Sequence, residues 1–256
     1  MPIPDRRSIH WAPTANEIPM RILQQFFQNV FQQAPVYQDP AAPQQIRPGH
    51  EELELLLSID SYGDFQLSDA VRPSFNANIQ PSQGYRHDVY VDEESGREIP
   101  VIMAAASRDI LFQLFMQLIH RLGPSVDVVL ESSHEHSSSG HTDFYREQID
   151  APVLTSALWD YEQLLTHDGC TGIAVLNPET PQEIQFDEHK LLIIYGSPLE
   201  PFEYLLESHG LPCRSDMQFI TEAEHIHTSS QDYLERFNQL RTQLGIDAEF
   251  GNTNMC

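Results

Sequence analysis

The chain has 256 residues and carries 38 acids against 14 bases, a formal charge of −24, with Lys190 its single lysine. Such a surface repels phosphate backbones and anionic lipid, which sets nucleic-acid and membrane-surface functions aside. A mean hydropathy of −0.38, with no apolar run of ~18 residues, excludes a transmembrane helix.

Residues 1–16 are proline-rich and polar, without the apolar core of a secretory signal. Ile18, Ile22, Phe26 and Val30, with Leu23, Phe27 and Phe31, then recur at helical spacing behind Asn16 as cap. Residues 34–50 hold prolines at linker density. The run 51–60 fits a helix or a strand, and Asp64–Leu67 fits a short strand. Residues 1–84 are expected to form an extension over a core domain of residues 85–256.

From Tyr85 the pattern sharpens. Strands are expected at about 86–92 and 98–106, joined through Glu94–Arg97. Ser107 opens a helix that Gly123-Pro124 closes, apolar on almost every face and therefore buried on more than one side. Val126, Val128, Val129 and Leu130 mark a central strand, 125–132, followed by a serine- and histidine-rich loop. A helix over 151–166, strands at 171–177 and 184–195, a helix opened by Ser197-Pro198-Leu199-Glu200 and a last helix after Ser229-x-x-Asp232 complete the chain. The order β-β-α-β-α-β-β-α-α implies an α/β fold, α+β being the alternative. Its sheet is a five-stranded mixed one flanked by helices, with parallel pairs across the helical crossovers.

Cys170, Cys213 and Cys256 are odd in number and lack a CxxC, which rules out a disulfide framework and a cysteine-built zinc site. A reducing cytoplasm is the expected compartment. The doubly apolar helix 107–122 and the aromatic face of helix 17–33 point to a homo-oligomer, and the charge leaves room for a basic protein partner. No glycine-rich phosphate loop and no GxSxG elbow occur.

The chemistry-bearing stretch is the loop after the central strand. His134, His136, His141 and Asp143 are candidate ligands for a divalent ion such as zinc, with Glu131 or Glu135 as general acid or base. Neither HxHxDH nor HExxH spacing is present; Ser138 stands where the latter needs a histidine. A second pair, His225-Ile226-His227, precedes the last helix and would matter most if the two loops met. Asp187-Glu188-His189-Lys190 reads as a charged interruption of the last strand. The expected function is a non-enzymatic interaction or structural protein; the alternative is a metal-dependent hydrolase or lyase.

Overall fold

The computed structural model describes residues 50–75, 77–92, 96–134 and 141–246. The amphipathic segment 17–33, the proline-rich linker, Glu135, His136 and the C-terminal tail lie outside these residues. Seven strands make one sheet: β4 (Gly84–Val91), β5 (Glu98–Ala105), β6 (Ser125–Ser132), β7 (Thr142–Asp150), β8 (Thr171–Leu176), β9 (Glu183–Phe186) and β10 (Leu192–Tyr195). The spatial order is β4-β5-β10-β9-β8-β6-β7, and every neighbouring pair is antiparallel. The mixed α/β class holds; the five-strand count, the strand order and the parallel pairs do not.

Two local features account for the difference in count. Thr142–Asp150 is a full strand that pairs with β6 from Ser132↔Thr142 to Ser125↔Asp150. Its alternation is broken near Gln148, which has φ 51° beside a register shift, so the period-two signal fades before the strand ends. The run 184–195 is a hairpin rather than one strand. Asp187 N and Leu191 O bond across its mouth at 3.1 Å, Asp187 Oδ1 accepts from Leu191 N at 2.7 Å, and Lys190 takes φ 65°.

The crossover helices join like-directed strands, as expected, but not neighbouring ones. Helix α2 (Arg108–Ile119) leads from β5 to β6, four antiparallel steps apart, so these two strands run the same way with three others between them. Helices α3 (Ala151–Leu158) and α4 (Glu162–His167) lead from β7 to β8, again like-directed, with β6 between. Hairpins supply the neighbours that the crossovers leave open. β6 is therefore interior but second from an edge, and β9 holds the middle.

One sheet face, with Ile102, Val128, Ile173, Ile184 and Phe186, packs on the helices. In that layer Phe115 of α2 meets Phe186 at 5.2 Å between ring centroids. Leu111, Phe112, Leu114, Phe115, Met116, Leu118 and Ile119 of α2 are all buried within the chain itself, which removes the need for a second subunit to cover that helix. Helices α5 (Glu200–Ser208) and α6 (Gln231–Gln243) complete the layer; Ser230 Oγ caps α6 by accepting from Tyr233 N at 3.3 Å. The other sheet face alternates Val129, Ala174 and Ile193 with Glu131, Glu183 and Gln185, and these are buried too.

Residues 50–84 are tied to the core. Helix α1 (His50–Leu57) leads to a small ribbon, β1 (Ser61–Tyr62) with β2 (Phe65–Gln66). Gln66 N donates to Ser107 Oγ at 3.0 Å, so Ser107 serves this contact instead of capping α2. Strand β3 (Val71–Pro73) pairs antiparallel with β11 (His225–His227), and this ribbon joins the sheet end where β6 and β9 finish and β8 and β10 begin. Among the described residues no helix is long and apolar enough to cross a membrane.

Candidate metal centre

Three imidazoles meet at that end of the sheet. His189 stands on the β9–β10 hairpin; His225 and His227 stand on β11, where the period of two puts them on one face. One ring nitrogen from each lies within 4.8 Å of the others, and the centroids are 4.7 to 5.1 Å apart. Among the described residues this is the one cluster of three or more histidine, cysteine, aspartate or glutamate side chains with ligand spacing.

Their hydrogen bonds fix which nitrogen is available. His225 Nδ1 lies 2.7 Å from the Ala223 carbonyl oxygen, and His227 Nδ1 lies 2.6 Å from that of Gly169. A carbonyl only accepts, so both Nδ1 atoms carry the proton. His189 Nδ1 lies 2.9 Å from Asp187 Oδ2, and the same reasoning protonates it. Each neutral ring is left with its Nε2 lone pair free. Outer oxygens that hold Nδ1–H and turn Nε2 inward are the arrangement found around metal-bound histidines.

The electrostatics favour the neutral form at His225 and His227 and the protonated form at His189. Burial lowers the pKa of His225 and of His227, and the charge that His189 can carry lowers both further. Burial also opposes protonation of His189, but the Asp187 carboxylate beside it wins and raises its pKa. Asp187 is itself held below the usual carboxylate range: burial pushes it up, and the charge and hydrogen bond of His189 outweigh that. Asp187 thus ties the hairpin through Leu191 N and orients His189 through its other oxygen. Asp187→Asn keeps an acceptor for Leu191 N but removes the charge behind His189. The expected result is a 10–100-fold loss of zinc affinity with the fold retained. It is measured by competition with a chromophoric chelator, and unchanged affinity would remove Asp187 from this role.

The histidine loop that follows β6 comes to the same end of the sheet with other partners. His134 Nδ1 lies 2.9 Å from Ser132 Oγ, and its Nε2 lies 3.0 Å from Asp168 Oδ2, off the line of an ideal hydrogen bond. Asp168 is fully buried; burial raises its pKa, but the adjacent His134 imidazole and hydrogen bonds from Ser229 and Thr171 prevail and hold it low. The Ser132–His134–Asp168 chain has the residue types of a nucleophilic triad. Ser132 is buried, however, and the His134 ring packs on Phe237, so the chain reads as a structural knot.

His141 Nε2 lies 3.6 Å from Glu188 Oε1, whose other oxygen accepts from Ser133 Oγ at 2.9 Å. Asp143 on β7 is the cross-strand partner of Glu131, and burial raises its pKa. Glu131 is 4 % exposed; burial, then the charges of Asp143 and Glu183, push its pKa well up. Its carboxyl occupies the space left by the missing side chain of Gly172, where a Cβ would come within 2.8 Å of Oε2. The structure therefore brings Glu131 and Asp143 together, sends His134 to Asp168 and His141 to Glu188, and gathers none of these into the histidine cluster.

The two loops are bridged by residues 168–170 and are not joined through their histidines. Ser133 N donates to Cys170 O at 3.0 Å, Asp168 faces His134, and Gly169 O faces His227. Residues 168–170 are thus the hinge between the β6–β7 connection and β11. Lys190 sits beside them, buried, with Nζ donating to Thr171 O at 2.9 Å and burial lowering its pKa to about 8. The residue that spacing alone does not single out is His189. Its one sequence signal is Asp187-x-His189, a carboxylate two residues ahead of an imidazole at a turn.

Compared with known families, curated proteins and solved structures, the chain matches no family model, no curated protein and no solved structure.

Proposed function

We propose that this protein binds a divalent transition-metal ion through Nε2 of His189, His225 and His227. What carries the reading is that one nitrogen of each ring lies within 4.8 Å of the other two, while each Nδ1 faces an oxygen and leaves Nε2 as the donor. Three imidazoles suit zinc and its borderline neighbours, and not calcium or magnesium. Nitrogens on a zinc shell of 2.0–2.1 Å lie about 3.4 Å apart, so a set within 4.8 Å closes by small ring rotations.

The reading keeps the metal-dependent side of the sequence expectation and moves its ligands off the 134–143 loop. Cytoplasmic residence fits a histidine-only donor set in a chain whose Cys170 and Cys213 are free thiols. Self-association remains part of the proposal through exposed Val89 and Val91 on edge strand β4 and through the aromatic pattern of 17–33, which lies outside the described residues, while α2 is already covered.

The test is metal analysis of the full chain, stripped with a chelator, reloaded with zinc and dialysed. One zinc per chain is expected for the parent and for His141→Ala. Less than about a tenth of that is expected for His225→Ala and His227→Ala, whose loss leaves two ligands. Zinc retained by both β11 variants and lost by His141→Ala would return the site to the 134–143 loop.

A further inference from the structure

We infer that the sheet face away from the helices holds a binding site for a short aliphatic diamine, gripped at one end by Glu131 and at the other by Glu183 and Gln185. The site shares no residue with the histidine cluster and does not depend on the metal reading.

Unpaired acceptors come first. Among the described residues, Glu131 Oε1, Glu183 Oε2 and Gln185 Oε1 have no hydrogen-bond partner. Their residues are 4 %, 1 % and 1 % exposed, so bulk water does not reach them. The Gln185 amide already donates to Glu183 Oε1 at 2.6 Å, which leaves its own oxygen as a further acceptor. Buried acceptors without donors are costly, and three on one face call for a group that brings donors.

Register places them around one apolar strip. Glu131 and Val129 on β6 stand opposite Gly172 and Ala174 on β8; Ala174 and Leu176 stand opposite Gln185 and Glu183 on β9. Cross-strand partners share a face, so these side chains all project to the same side. The Glu131 carboxyl occupies the space over Gly172. Between it and Glu183 lie buried Val129, Ala174 and Ile193. Gly172 and Leu176, the β8 partners of the two carboxyls, are 176 − 172 = 4 positions apart, roughly 13 Å along the strand.

Charge and spacing select the ligand. Burial pushes the pKa of both carboxyls up, so the empty face holds protons there. An ammonium at each end takes their place and forms charge-assisted hydrogen bonds. With three N–H donors, the ammonium at the β9 end serves Glu183 Oε2 and Gln185 Oε1 together. Methylenes between the two ends cover the apolar strip. A single metal ion fits less well, because the described residues with ligand spacing are the three histidines and not these.

The test is equilibrium dialysis of the full chain against radiolabelled butane-1,4-diamine at about 0.15 M salt, which screens diffuse binding to the acidic surface. Long equilibration allows for entry into a covered site. One diamine per chain is expected, and butylamine, with a single amine, should bind at least about tenfold more weakly. Glu183→Gln and Glu131→Gln should each weaken the diamine at least about tenfold. Glu179→Gln removes the same charge from an exposed loop and should change nothing. Denaturation midpoints show which variants fold; if Glu131→Gln does not, Glu183→Gln decides alone. Uptake that fails to saturate, or that Glu183→Gln leaves at the parental level, would overturn the site. Equal affinity for the two amines would overturn the two-ended grip.

Discussion

Gly169→Ala is expected to cost roughly 2–3 kcal/mol of stability and most of the zinc affinity in one step. Three backbones converge on this residue. Gly169 N donates to Thr228 O at 2.8 Å, Thr228 N donates to Ala70 O at 2.8 Å, and Gly169 O holds His227 Nδ1. A Cβ would overlap the Ala70 carbonyl oxygen and approach the Thr228 oxygen and nitrogen to 2.9 and 3.0 Å. These are backbone atoms that cannot swing aside as a flexible side chain would. The β3–β11 ribbon must move off the sheet end, and it carries two of the three imidazoles with it. Chemical denaturation and zinc competition on the same sample check both effects. A variant with parental stability and affinity would show that the junction yields, and would break the link between Gly169 and the centre.

A pH effect of comparable size is expected from Glu183. This carboxyl is 1 % exposed on the sheet face away from the helices; Gln185 Nε2 donates to its Oε1 at 2.6 Å, and its Oε2 has no partner among the described residues. Burial raises its pKa from 4.5 to about 8, the Gln185 bond opposing. A pKa raised by folding means that the native state holds the proton more tightly. The stabilisation is complete below the unfolded value near 4.5 and is lost as pH climbs to about 8.

Glu183→Gln keeps the shape and carries no charge, so it should flatten that decline and leave the variant more stable than the parent at pH 9. Each pH unit separating the folded and unfolded pKa values corresponds to about 1.4 kcal/mol, which sets the gain on the order of 2–4 kcal/mol. Glu131, raised by the same cause, preserves part of the slope. Denaturant midpoints of parent and variant across pH 5–9 decide the matter. Parallel curves would mean that Glu183 does not titrate in this window.

The fold is legible in the sequence wherever one residue pattern decides one element. The β4–β5 hairpin, the all-round apolar α2, the valine run of β6 and the apolar β8 are visible from spacing alone. Strand β7 is hidden because Phe144 and Ile149 are its only buried apolar residues and stand an odd number of positions apart, across the irregularity at Gln148. The β9–β10 turn is hidden because Asp187–Lys190 has neither glycine nor proline, and the positive φ falls on a lysine. The site is half legible. His225-x-His227 displays two donors on one face, but the third comes from a hairpin whose sequence looks like continuous strand. Pairing is set by tertiary registers such as His227↔Val71 and Phe186↔Leu192, which local spacing does not encode.

If His189, His225 and His227 hold an ion as proposed, their origin in two separate pieces of chain has a thermodynamic consequence. From His189 to His225 is 225 − 189 = 36 positions, a span containing β10, α5 and the approach to β11. An ion gripping both ends behaves as a reversible cross-link, shrinking the denatured ensemble much as a disulfide around a loop of that size does, by roughly 3–4 kcal/mol. Chelation would then loosen this whole lobe and not merely empty a pocket, so metal supply would govern how long the folded chain survives proteolysis.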